Sequence, residues 1–136
     1  MTWQSQIDMM TKGRSWHRLD QQIAATISQA NRQTGLCHLF IQHTSASLLI
    51  TENADPDVRR DLEAFMERLV PDGDAIFRHT LEGKDDMSAH VRCALTQTSL
   101  TVPITDGELG LGTWQGIYLW EHRYQGQHRI VTVTVL

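Results

Sequence analysis

The chain has 136 residues, a hydrophobic fraction of 40%, a charged fraction of 21% and a formal net charge of −4. A chain of this length can bury about two thirds of its unfolded surface around one core, so one domain over residues 1–136 is expected, and the composition excludes a disordered or low-complexity polymer. The acidic balance, with arginines scattered among acids, excludes a phosphate-backbone (nucleic-acid) partner. The first residues lack the basic start and apolar stretch of a secretory signal, and no apolar run reaches membrane-spanning length. The expectation is a cytoplasmic protein with no membrane partner, and Cys37 and Cys93 are read as buried thiols rather than a disulfide framework.

Residues 3–18 mix isolated apolar side chains with polar ones, the pattern of an edge strand or hairpin. From Asp20, the spacing of Ile23, Ile27 and Ala30 predicts a helix over 20–33, capped by Asp20 and stopped at Gly35. Residues 36–43 alternate as a strand and put His43 on the face shared by Cys37, Leu39 and Ile41. A polar bend, Thr44-Ser45-Ala46-Ser47, leads to a second strand over 48–52. Asp55 caps the next helix, Pro56 fits its first turn, and Val58, Leu62, Phe65, Met66 and Leu69 form an apolar stripe. Its other face, with Arg59, Arg60, Glu63, Glu67 and Arg68, is read as solvent-exposed. Residues 74–87 read as loop, and Ser88 begins a short helix with His90 in its first turn and Val91, Ala94 and Leu95 inward. Leu100, Val102 and Ile104 alternate as a strand in which Pro103 signals an edge or a bulge. Asp106-Gly107 turns the chain. Two strands over 114–123 and 128–136 flank Tyr124-Gln125-Gly126-Gln127, which reads as a hairpin turn across which His122 and His128 can pair.

Three polar segments, 42–53, 79–90 and 105–115, concentrate the chemistry. Of seven histidines, His43, His79 and His90 can converge. Neutral imidazoles fixed by Asp85, Asp86 or Glu52 would suit a divalent metal, yet the spacing has neither HExxH nor paired CxxC, so spacing alone favours isolated surface or core histidines over a metal site. The hydroxyls and amides of the 44–47 bend could bind phosphate or only satisfy a turn. A Ser45 or Ser47 nucleophile beside His43 lacks the elbow motif that such a site uses. Acids at 52–57 serve a helix start without further function, and Gly107, Gly110 and Gly112 lack the strand-to-helix context of a dinucleotide loop.

Four motifs nevertheless occur together and in order. They are His43-Thr44-Ser45-Ala46-Ser47, the run from Glu52 through Asn53 and Asp55-Pro56 to Val58, the stretch from His79 through Gly83-Lys84-Asp85-Asp86 to Ala89-His90, and Gly110-Leu111-Gly112-Thr113-Trp114-Gln115. With them, residues from about 35 to the end resemble the YjbQ family, the secondary thiamine-phosphate synthase family. The resemblance implies an α+β fold on a β-sandwich-like core with two to three helices, assembled as a homotrimer with a polar pocket near subunit contacts. It raises the expectation that His43, His79 and His90 cluster as ligands of a divalent metal. Thr44, Ser45, Asn53 and Gln115 would then line a site for a small phosphorylated ligand, with Asp85 and Asp86 orienting groups. The implied activity joins a hydroxymethylpyrimidine diphosphate to a thiazole phosphate with release of pyrophosphate. Neutralising a leaving diphosphate suits Mg²⁺ on oxygen ligands, whereas three histidines suit Zn²⁺, Mn²⁺ or Fe²⁺. Another metal-dependent hydrolase or transferase, in which His43 or Asp86 positions a water, and a noncatalytic trimeric ligand-binding module remain as alternatives.

Overall fold

The computed structural model describes residues 2–136. Its elements in chain order are β1 (Trp3–Met10), β2 (Trp16–Arg18), α1 (Asp20–Ser28), β3 (Thr34–Ile41), β4 (Ala46–Glu52), α2 (Pro56–Leu69), α3 (Lys84–Leu95), β5 (Ser99–Thr105), β6 (Glu108–Leu109), β7 (Gln115–Glu121) and β8 (His128–Val135). A five-stranded antiparallel sheet, β1-β8-β3-β5-β6, faces a three-stranded one, β2-β7-β4. The fold is thus α+β on a sandwich-like core with three helices, as the resemblance implies.

Alternation builds the core between the sheets. Cys37, Leu39 and Ile41 of β3, Leu100, Val102 and Ile104 of β5, and Val131, Val133 and Val135 of β8 meet Leu48 of β4 and Ile117 and Leu119 of β7, while Ile23 and Ile27 of α1 close the same cluster. Strand β7 is buried from Gly116 to Glu121, because its other face also packs: Trp120 sits with Met66 and Val70 at the end of α2, against Trp16, Leu49 and Val91. The small sheet is therefore the middle layer between the large sheet and the α2/α3 pair. None of the helices among the described residues is long and apolar enough to cross a membrane.

The expected hairpin at 124–127 does not form. β7 pairs with β2 and β4, whereas β8 pairs with β1 and β3. The reason lies in the partner ribbon: β1 runs along β8 and β2 along β7, so the two connections turn the same corner together. Thr11 N–H donates to Gln127 O at 2.8 Å and Arg14 N–H to Arg123 O at 2.6 Å. Gly13 and Gly126 allow this approach, since a Cβ on Gly13 would lie 1.6 Å from Tyr124 O and one on Gly126 2.1 Å from Thr11 O. His122 and His128 do not pair; they bond Ser47 at 2.8 Å and Asp8 at 2.9 Å respectively.

Other boundaries move for local reasons. Helix α1 ends at Ser28, with the chain turning through Asn31 at a φ of 50°, and Asp20 bonds Arg18 instead of capping. Asp55 does cap α2, accepting from Asp57 N at 2.9 Å. The α2 stripe is only partly inward: Met66 is buried, but Phe65 and Leu69 are more than half exposed. Glu63, expected on the solvent face, turns in to accept from Trp120 Nε1 at 3.0 Å and from Arg92 Nη1 at 2.6 Å. In α3 it is Ala89, Arg92 and Cys93 that are buried, while Leu95 is exposed. At the β5–β6 turn, Asp106 and Gly107 have φ of 53° and 81°, the paired left-handed residues of a two-residue hairpin.

Buried ionic groups tie the layers together. Arg129 binds Glu121 at 2.5 Å, and Arg14 clasps both Asp72 oxygens at 2.8 and 2.9 Å. Ser88 and Tyr124 hydroxyls also donate to Asp72. Burial opposes ionisation of Asp72, but these donors and the guanidinium charge win and pull its pKa from 3.8 to about 2. Burial and the nearby Arg92, Arg14 and Arg129 push His122 down from 6.5 to about 3.

Both groups bind protons more weakly folded than unfolded, so acid destabilises the protein through each, in two windows that overlap between about 3 and 3.8. The His122 contribution is lost between the values of 6.5 and about 3, and the Asp72 contribution between 3.8 and about 2. Replacing Asp72 by Asn is expected to lower unfolding free energy at neutral pH by about 2 kcal/mol, the scale of hydrogen bonds to a charged group. Denaturant titrations of both proteins should converge as pH falls below 4 toward 2; a constant difference across that range would remove Asp72 as the cause.

Candidate metal centre

Gly83, at a φ of 103°, lets the chain enter α3 at Lys84, one turn earlier than Ser88. The shift matters chemically. Asp85 and Asp86 become first-turn residues, where carboxylates complement the helix dipole, and Asp86 and His90 become i,i+4 neighbours on one face. His79, from the preceding loop, completes the set. Asp86 Oδ2 lies 2.5 Å from His79 Nε2 and 3.1 Å from His90 Nε2, and the three ligand atoms all lie within 4.8 Å of one another. The two imidazoles are 5.5 Å apart, centre to centre, at 63°.

Asp86 is 2% exposed. Burial raises its pKa, but the bond to His79 and the charge of Arg123 outweigh this and hold it below the usual carboxylate range. His90 is oriented by Thr44, whose main-chain oxygen lies 3.0 Å from Nδ1. A carbonyl only accepts, so Nδ1 donates to it, and Nε2, which faces the Asp86 carboxylate, is the nitrogen at which a metal would replace a proton. With an ion bound, the ring would offer Nε2 to the metal and keep its Nδ1–H anchored on the main chain. Ligand atoms bound at about 2.1 Å sit roughly 3.0–3.4 Å apart around an octahedral or tetrahedral ion. The His90–Asp86 spacing already matches, and His79 has to retreat from Asp86 Oδ2 by less than about 1 Å.

His43 lies elsewhere. It follows the end of β3, and its Nε2 accepts from Ile130 N–H at 2.9 Å. It shares with His90, Thr44, Cys93, Ala94 and Thr98 a cleft of about 220 Å³, but it is not in the group formed by His79, Asp86 and His90. Burial pushes the Cys93 thiol pKa up, and its Sγ donates to Ala46 O at 3.3 Å.

The remaining predicted residues are distributed by β4. Thr44 stands before the strand, at the cleft. Ser45 is buried, and its hydroxyl accepts from Arg129 at 3.0 Å. Asn53 stands beyond the other end of β4, donating to Thr113 O at 3.2 Å, and Gln115 accepts from Gly112 N at 2.7 Å. A seven-residue strand is about 23 Å long, so within one chain Asn53 and Gln115 are a strand's length from the histidines. Arg123 escaped the sequence reading. Its ion pair with Asp85 spans 38 residues, and nothing in its immediate neighbours signals it.

The model of the family described as UPF0047 protein YjbQ-like matches residues 5–136. The chain belongs to the YjbQ family. It is 53% identical over 125 residues to a UPF0047 protein of Synechocystis sp., covering 92% of this chain and 85% of that one. It is 41% identical over 136 residues to YjbQ of Escherichia coli O157:H7, covering 99% and 98%. A YjbQ/UPF0047-family crystal structure from Clostridium acetobutylicum superposes with a TM-score of 0.87 at 30% identity, over 97% of this chain and 99% of that chain. A YbjQ-like protein of Sulfolobus solfataricus P2 gives 0.89 at 20% identity over 99% and 96%, a likeness of fold.

Within this YjbQ-family frame, His43 has a fixed tautomer. A main-chain N–H only donates, so Nε2 is bare and Nδ1 carries the proton. Burial, then the charge of Arg129, lowers the His43 pKa below 6.5. The hydrogen bond that Nε2 accepts from Ile130 N–H requires a neutral His43 ring. Nitrogen NMR of the imidazoles should show the Nδ1–H tautomer for His43 at pH 7; an Nε2–H or doubly protonated ring at that pH would contradict the assignment.

Proposed function

We propose that the protein is a divalent-metal-dependent enzyme acting on a small phosphorylated compound, with the ion held by His79, Asp86 and His90. The observation that carries this reading is the buried carboxylate shared by two imidazole nitrogens, one of which, that of His90, belongs to a ring lining a cleft. Two nitrogens and one oxygen favour Zn²⁺, Mn²⁺ or Fe²⁺ over Mg²⁺, which prefers oxygen ligands. Three protein ligands leave positions free for substrate or water.

The reaction we assign is transfer of the thiamine-phosphate synthase type, as the sequence resemblance implies: the pyrimidine–diphosphate bond breaks, the bond to the thiazole phosphate forms, and pyrophosphate leaves. A divalent ion held by His79, Asp86 and His90 would supply charge neutralisation for the leaving diphosphate. This chain's own residues hold and aim the ligands: the Thr44 carbonyl fixes His90, and His43 contributes a neutral ring to the cleft wall. Hydrolysis of a smaller phosphorylated compound is the second reading, favoured by the volume of about 220 Å³, below the 300–1,000 Å³ usual for small-molecule pockets. We place the enzyme in the cytoplasm, consistent with two free cysteines. We also read it as a homotrimer, consistent with the exposed Ile76 and Leu81 on the loop before α3.

Metal analysis of protein purified without added metal tests the centre. The expected result is about one ion per chain in the wild type and in His43→Ala, with tenfold or greater loss in His79→Ala, Asp86→Asn and His90→Ala. Equal loss in His43→Ala would restore the three-histidine set, and a wild type that retains no Zn²⁺ or Mn²⁺ even after dialysis against them would end the metal reading. With the loaded protein, pyrophosphate release that needs both thiamine precursors identifies the transferase, whereas release of phosphate from a single phosphorylated compound identifies the hydrolase.

A further inference from the structure

The Asp86 carboxylate is divided between two tasks. Its Oδ2 faces His79 and His90, while its Oδ1 lies 2.7 Å from Arg123 Nη1. The same guanidinium donates from Nε to Asp85 Oδ2 at 2.9 Å and from Nη2 to Glu82 O at 3.0 Å. Asp85 Oδ2 also accepts from Tyr124 N–H at 2.9 Å. One arginine at the end of β7 thus holds the loop before α3 and both first-turn carboxylates, and its side chain is 19% exposed.

We infer that Arg123 is a positioning residue of the metal centre, holding Asp86 Oδ1 so that only Oδ2 reaches the ion. This role rests on the metal reading above. A carboxylate free to rotate can close on an ion with both oxygens and fill a position that substrate or water needs. The fork prevents this by engaging Oδ1, and a planar guanidinium can hold two carboxylates in fixed geometry where an ammonium is only a point charge. The net charge also suits a cation. Asp85 and Asp86 carry two negative charges against the one positive charge of Arg123, so the guanidinium sits beside a cation site without making the neighbourhood positive. Its donors being directed at Asp85, Asp86 and Glu82, Arg123 orients the site instead of binding a phosphate.

Co²⁺ titration of the full-length protein, followed by its visible absorption, separates positioning from simple structural support. Arg123→Met is expected to weaken Co²⁺ binding by about 10- to 100-fold, and to change the intensity of the bands, which report coordination number. Arg123→Lys keeps the charge but not the fork. It is expected to remain folded, judged by melting of the metal-free protein, and still to show the altered spectrum with weaker binding. Asp85→Asn, which loosens the fork's other arm, should give a smaller loss with the wild-type spectrum. Wild-type affinity and an unchanged spectrum in Arg123→Lys would overturn the role even if Arg123→Met fails to fold. A wild type that binds no Co²⁺ would instead sink the metal reading, and this role with it.

Discussion

Burial of β7 on both faces is the constraint from which the site follows. A strand with the large sheet on one side and the helical layer on the other leaves no charged group unpaired where it ends, because each buried charge without a partner is strongly destabilising. At that end stand Glu121, His122 and Arg123. Glu121 is taken by Arg129 and Thr11, His122 by Ser47, and Arg123 by Asp85 and Asp86. The last pair reaches out of the sandwich to the start of α3, so the packing of the core and the aim of the candidate ligands are mechanically one arrangement.

The corner shared by the β1–β2 and β7–β8 connections supplies the second anchor. Arg14 leaves the first connection to clasp Asp72, and Tyr124 leaves the second to donate to the same carboxylate. Asp72 also accepts from Ser88 in α3. The loop that carries His79 is therefore tethered at Asp72 on one side and at Glu82, Asp85 and Asp86 on the other. A loop residue can serve as a ligand with little loss of entropy on binding only if its ends are held in this way. Asp72, whose protonation in acid is expected to weaken the fold, is thus also one of the anchors of the loop that carries His79.

Much of the fold was legible because alternation and capping are local. The inward rows of β3, β5 and β8, the Asp55-Pro56 start of α2 and the Asp106-Gly107 turn each follow from residues within a few positions of one another. The apparent hairpin at Tyr124-Gln125-Gly126-Gln127 misled for the same reason: two strand-like runs around a polar turn fit a hairpin and a sheet-to-sheet corner equally well. Only the partner ribbon, more than a hundred residues away in sequence, decides between them. Likewise Glu63 reads as a surface charge on α2 until Trp120 and Arg92 arrive to meet it.

For the candidate site, the sequence by itself determined the donor types, the i,i+4 spacing of Asp86 and His90, and the motifs that place the chain in the YjbQ family. Local signals placed the start of the third helix at Ser88, which would leave Asp86 in a loop, whereas α3 begins at Lys84 and puts that spacing on a helix. Tertiary structure decided that, and it decided which third group joins the two histidines. Hydrogen bonds to Ile130 N–H, Thr44 O and Arg123 come from other strands and their ends, and each fixes which atom of His43, His90 or Asp86 is free. Residue type sets what a side chain can bind; only packing sets which of its atoms is left to bind it.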